Sequence, residues 1–127
     1  MPKQRDPSRP YSRAHRGQGG GRAGLLVALP AGGCTLPVPD MPAGREWSEA
    51  DRARWRELWQ SPQATQWDDT ARGTVAVLLV YESAILAGTA SAWMAQEARY
   101  ASEALGLTPR AMAALGWRIV DVEDGAP

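Results

Sequence analysis

The chain has 127 residues, one Cys, one His, and 14 basic against 14 acidic side chains. That length holds one domain at most, a single Cys excludes an internal disulfide framework, and one His with one Cys makes a compact zinc site improbable. The zero net charge conceals a division: residues 1–22 hold Lys3, Arg5, Arg9, Arg13, Arg16 and Arg22 against Asp6 alone, a balance of +5, and the rest of the chain balances at −5. A basic arm on an acidic body points to nucleic-acid or membrane contact.

Residues 1–22 lack apolar periodicity and carry Pro2, Pro7, Pro10 and the run Gly17-Gln18-Gly19-Gly20-Gly21, so a disordered basic arm is expected. The apolar run Leu25–Leu29 stops at Pro30, too short for a signal-peptide core. The longest apolar run, Val75 to Tyr81, is far below a membrane span. A protein of the cytoplasm is expected. Residues 23–45 read as a linker, because Pro30, Pro37, Pro39 and Pro42 alternate with Gly32, Gly33 and Gly44. Residues 46–120 read as a helical oligomerisation domain and 121–127 as an acidic tail. A core of this size is thin, and association with further copies is one way to enlarge it.

Within the helical domain, Ser48 and Asp51 make a near capping box ahead of Trp55, Leu58 and Trp59, which fall at i, i+3, i+4. Ser61-Pro62 closes that helix and opens a short second one carrying Trp67. Thr74–Leu86 is locally ambiguous: Val75, Val77 and Val80 favour a strand, and Ala76, Leu78, Leu79, Glu82, Ala84 and Leu86 favour a helix. Its length and helical surroundings select a helix, apolar on most sides. Gly88-Thr89 breaks it, and an Ala-rich helix follows from about Ser91 to Leu105, with Trp93, Tyr100 and Ala104 on one stripe and Met94, Ala98, Ala101 and Leu105 on another. Gly106 is a natural helix terminator, and Thr108-Pro109 starts a last short helix carrying Met112, Leu115 and Trp117. The expected fold is all-α: short helices plus a long helical hairpin, a ring-forming oligomer with a disordered basic arm.

Few residues carry a case for chemistry. The Gly-rich run Gly17–Arg22 lacks the Gly-Lys-Ser/Thr ending of a phosphate loop. His15 stands in the arm without a nucleophile or carboxylate in fixed relation to it, and Cys34 reads as an incidental linker thiol. Asp68-Asp69 reads as acids preceding a helix N-terminus, where the dipole favours them. No enzyme, metal site or cofactor is expected. The spaced arginines of the arm suit phosphate tracking, with Arg52 and Arg56 of the first helix as further DNA contacts. Trp55, Leu58, Trp59, Trp67, Leu78, Leu79, Ile85, Trp93 and Tyr100 are expected in the core or the oligomer interface. Residues 91–118 also allow a helix-turn-helix reading with Gly106 at the turn, although the second helix carries few cations.

Two stretches resemble a known family. Leu58-Trp59-Gln60-Ser61-Pro62-Gln63-Ala64 followed by Trp67, and Leu105-Gly106-Leu107-Thr108-Pro109-Arg110-Ala111-Met112 closing in Leu115 and Trp117-Arg118-Ile119, are similar to stretches of the small terminase subunits of tailed phages and prophages of high-GC bacteria. The resemblance covers roughly residues 28–120. It implies a DNA-packaging component of the host cytoplasm that binds viral double-stranded DNA at the packaging site and regulates a large terminase subunit, which supplies the ATPase and nuclease. It further implies a homo-oligomeric ring of roughly eight to eleven subunits. Many small terminases carry a separate N-terminal helix-turn-helix domain, and here the basic arm stands in its place. The alternatives are a small helix-turn-helix transcription regulator and a head-assembly adaptor without DNA contact.

Overall fold

The computed structural model describes residues 26–121. The arm residues Lys3, Arg5, Arg9, Arg13, Arg16 and Arg22, together with residues 122–127, lie outside the described residues. Strand β1 (Val27–Pro30) leads through an extended segment to helix α1 (Glu49–Trp59). Two 3-10 turns (Pro62–Gln66 and Asp69–Ala71) then precede α2 (Arg72–Leu86), α3 (Ala92–Ala104), the short α4 (Pro109–Leu115) and strand β2 (Trp117–Val120).

Local chemistry fixes most of the boundaries. Ser48 Oγ accepts from the Asp51 amide at 3.0 Å, and the Asp51 carboxylate accepts from the Ser48 amide at 3.3 Å, closing the capping box of α1. Ser91 caps α3 and Thr108 caps α4 through the same hydroxyl-to-N3 bond. Helices α2 and α3 both end in a paired 6→1 and 5→2 pattern around a left-handed glycine. Thr89 N donates to Ala84 O and Gly88 N to Ile85 O; Leu107 N donates to Ser102 O and Gly106 N to Glu103 O. The stretch after Ser61-Pro62 is a single 3-10 turn of five residues, because Thr65 Oγ1 donates 2.8 Å back to Pro62 O and Trp67 then turns extended.

The core is built around a row of tryptophans. Trp55 and Trp59 meet at 5.8 Å between ring centroids, and Trp59 meets the edge of Trp67 at 5.1 Å, the tilted and T-shaped geometries that aromatic quadrupoles favour. Leu58, Val75, Leu78, Leu79, Ala98, Ala101 and Leu105 close around them. The Trp67 indole N–H donates to Leu105 O at 2.9 Å, tying the first 3-10 turn to the end of α3. The Pro-rich segment ahead of α1 also packs on this core. Trp55 Nε1 donates to Pro39 O at 2.7 Å, Trp47 Nε1 to Pro42 O at 3.0 Å, and Leu36, Val38 and Met41 cover the cluster.

The chain is mainly helical, but an all-α description needs one correction. Strands β1 and β2 pair in parallel, with Val27 opposite Trp117 and Leu29 opposite Ile119. A parallel pair needs a crossover connection, and here every helix lies within it. Trp117, expected to end the last helix, instead opens β2, because Gly116 takes φ +76° and terminates α4 one residue earlier. The Trp117 ring lies against Gly106, where a Cβ would overlap its six-membered ring.

Two glycines make a matched test of this packing. Gly106 and Gly88 both hold positive φ (+73° and +77°), but only Gly106 is met by a neighbouring side chain. Gly88→Ala should cost about 1–2 kcal/mol from backbone strain alone. Gly106→Ala should cost about 2–4 kcal/mol, since displacement of Trp117 is added. Urea unfolding of both variants checks the difference, and equal costs would mean that the Trp117 contact contributes nothing.

Candidate functional site

The outward side of the α2–α3 hairpin carries most of the exposed apolar surface among the described residues. On α2, Val77, Tyr81 and Ile85 recur at i, i+4, i+8 and share one face. Tyr81 meets the edge of Trp93 at 5.7 Å between centroids, which carries the surface across to α3, where Tyr100 lies two turns on and accepts a hydrogen bond from Gln96 at 3.0 Å. Leu86 is 82% exposed, Trp93 59%, Tyr100 48%, Val77 44% and Ile85 40%. Single exposed apolar residues are ordinary, but a contiguous patch with two aromatics marks an interaction surface. An open apolar hollow of about 250 Å³ between Pro42, Trp47, Val77, Val80 and Tyr81 continues it, and Arg45 lies 4.7 Å over the Trp47 ring.

The residues expected in the core or the oligomer interface therefore separate into two groups. Trp55, Leu58, Trp59, Trp67, Leu78 and Leu79 are buried within one subunit. Ile85, Trp93 and Tyr100 are exposed on the hairpin. Leu86 and Val77 join the second group, although helical periodicity alone does not single them out. The two stripes of α3 are resolved in the same way: Ala98, Ala101 and Leu105 face the core, and Trp93 and Tyr100 face outward.

Cationic side chains are sparse on this body. Arg52 and Arg56 are exposed one turn apart on α1, but Glu49, Asp51 and Glu57 on the same helix balance the three arginines. The third, Arg54, is already engaged. Its Nε and Nη2 donate to the two Glu82 oxygens at 2.8 and 3.1 Å, and Nη1 donates to Glu57 at 3.0 Å. This fork binds α1 to α2, and the Glu82 hydrogen bonds raise the guanidinium pKa above its ordinary value against the opposing effect of burial. Residues 26–121 hold eight Arg against eleven Asp or Glu, a body that repels a polyanion.

The segment with a helix-turn-helix look consists of α3, the Gly106 turn and α4. Helix α4 has seven residues, with Ala111 turned into the core and Arg110 as its sole cation. Between α3 and α4 lies an open hollow lined by Arg99, Glu103, Arg110, Ala111, Ala114 and Leu115. Among the described residues no helix is long and apolar enough to cross a membrane. No three His, Cys, Asp or Glu side chains among them stand together as a metal site needs.

Because Trp59 is buried within one subunit at 2% exposure, Trp59→Ala should lower the stability of the fold itself by about 3–5 kcal/mol. Chemical denaturation at several protein concentrations checks this. A midpoint that moved only at low concentration would place Trp59 at a subunit contact instead.

A family model described as phage terminase small subunit matches residues 3–125, a span that takes in both motifs and the basic arm. No curated protein and no solved structure matches the chain. On that match over almost its full length, the chain belongs to the phage terminase small subunit family and has its role in phage DNA packaging.

Proposed function

We propose that this subunit assembles into a ring through the outer face of the α2–α3 hairpin, holds viral double-stranded DNA at the packaging site through its basic arm, and regulates the large terminase subunit in the host cytoplasm without catalysis of its own. The observation that carries this reading is the family match, which spans the arm as well as the helical body. The division of charge supports it. A body with an excess of acid offers a duplex little beyond Arg52 and Arg56, whereas the arm carries Lys3, Arg5, Arg9, Arg13, Arg16 and Arg22 against a single acid. Phosphate neutralisation by such an arm is strong, sequence-independent and salt-sensitive. Base-specific readout asks for side chains presented to groove edges, so in this reading the arm supplies affinity and the assembled ring supplies register along the duplex.

The hairpin face supports assembly by its composition. Trp93, Tyr81 and Tyr100 are the rigid aromatic anchors that interfaces concentrate, and Ile85, Leu86 and Val77 surround them with apolar area. Closed rings form when one patch meets a different patch on the next copy and the rotation closes. The hollow lined by Trp47, Val80 and Tyr81 adjoins exposed Trp93 through the Tyr81–Trp93 contact, a recess and an aromatic knob of the kind that a head-to-tail contact uses. The resemblance to small terminase subunits implies a closed ring of roughly eight to eleven copies.

Two measurements test these parts separately. Deleting residues 1–22 should abolish most DNA affinity and flatten its dependence on salt, removing up to about 5 from the slope of log K against log salt if all six cations contact phosphates. Assembly mass should be unchanged, and full affinity after the deletion would assign DNA contact to the body instead. The double variant L86E/W93E should reduce the particle to single subunits in native mass measurements. Its single subunits should remain folded and lose no more than about 0.5–1.5 kcal/mol, the contribution of the Tyr81–Trp93 contact. An intact ring in that variant would move the interface elsewhere.

A further inference from the structure

The open hollow between α3 and α4 holds cations that one subunit leaves unused. It measures about 490 Å³ and is lined by Arg99, Arg110 and Glu103 together with the apolar Ala111, Ala114 and Leu115. Among the described residues neither arginine makes an ion pair. A guanidinium presents five donors in a planar fork that matches a carboxylate, and two forks beside one acid leave donors for a further carboxylate. Arg99 lines this hollow and also lies 5.4 Å over the Tyr100 ring. The hollow is therefore continuous with the aromatic ridge of Trp93 and Tyr100 on the same helix.

The recess that takes such a ridge carries the opposite sign beside it. Trp47 lines the recess, and Glu46 and Glu49 flank Trp47 in the chain, both exposed and without an ion pair among the described residues. The neighbouring charges are already placed: Asp51 accepts from the Ser48 amide as the cap of α1, and Arg45 lies over the Trp47 ring. Within one subunit Glu46 and Glu49 do not pair with Arg99 or Arg110. Only contact between copies brings the two sets together. A two-fold contact through either set would face like charge with like, whereas a head-to-tail contact pairs each with its opposite.

We propose that the hollow of Arg99 and Arg110 receives Glu46 and Glu49 of the next copy, a charged clasp beside the aromatic contact that fixes its head-to-tail direction. The proposal rests on the reading of the α2–α3 hairpin as the assembly surface and adds to it the residues that set polarity. Apolar area supplies most of the adhesion in such a contact, and charge complementarity supplies register and the rejection of wrong orientations.

The test is a charge-reversal cycle on the full chain, read by native mass as the concentration at which half the subunits are assembled. R99E/R110E and E46R/E49R should each raise that concentration about tenfold at low salt, since each sets like charges against one another. The chain carrying all four changes restores every pair in a ring of any size and should return to within about threefold of the unaltered protein. Losses that multiply in the fourfold variant overturn the proposal, and so does unchanged assembly of both double variants. A drop in duplex affinity of R99E/R110E with assembly intact also overturns it and assigns the hollow to DNA. If a reversal variant loses the helical circular dichroism of the parent, R99Q/R110Q and E46Q/E49Q replace the pair. Each neutral variant should then cost about threefold, with no further loss when they are combined. L86E/W93E runs alongside: its dissociation with no effect of the charge variants removes the clasp alone, whereas an intact ring in that variant too removes the hairpin reading itself.

Discussion

Trp67 is the side chain through which the parts of this fold are joined. It follows a one-turn 3-10 helix, stacks its edge on Trp59 of α1, and donates its indole N–H to the carbonyl of Leu105 at the end of α3. That carbonyl belongs to the set a helix leaves without an internal partner, so one bond satisfies a terminal acceptor and a buried donor together. A domain this small has room for few core side chains, and an aromatic buries about 150–250 Å² each. Three indoles in a row therefore do what a larger domain assigns to a layer of aliphatics. The row continues to Trp55, whose N–H reaches Pro39 O. The proline-rich stretch, which has few amides to donate, is thus held through its carbonyls.

What could be read from the sequence follows from the range of the interaction concerned. The caps at Ser48, Ser91 and Thr108 and the stop at Gly106 depend on residues within three or four positions, and all are legible. The ambiguous Thr74–Leu86 stretch is a helix, because its Val75, Leu78 and Leu79 side chains find the core at helical spacing. The sheet is not legible. β1 and β2 have four residues each, carry no alternation to mark them, and find one another across some ninety residues. Their pairing is a consequence of where the helices deliver Trp117, not of any local preference.

The functional surfaces show the same division. Periodicity places Trp93 and Tyr100 on one stripe of α3 and Ala98 and Ala101 on another, but it does not tell which stripe is buried. The small-residue stripe goes inward because α2 approaches α3 closely, and this leaves the aromatic stripe outside. Asp68 looks like an ordinary acid ahead of a helix. Its burial beside Gln66 and Trp117 is created by the crossover that returns β2 to β1, and no spacing in the sequence encodes that. Arg54, by contrast, is engaged for a local reason combined with a distant one: Glu57 lies one turn away and Glu82 faces it from α2.

Charge links the arm to assembly. Copies of an acidic body brought into a ring repel one another over the screening distance of about 8–10 Å at ordinary ionic strength. Each chain carries +5 on residues 1–22 and −5 on the remainder, so the two charges of one subunit balance. In the proposed reading, a duplex bound by the arm meets a body with an excess of acid, which repels its phosphates and leaves the arm as the main tether. On that reading, a duplex held by salt-sensitive tethers beside a repelling wall would be free to slide along its axis. A body made basic to bind more tightly would lose that freedom, which gives the −5 remainder a mechanical role alongside the +5 arm.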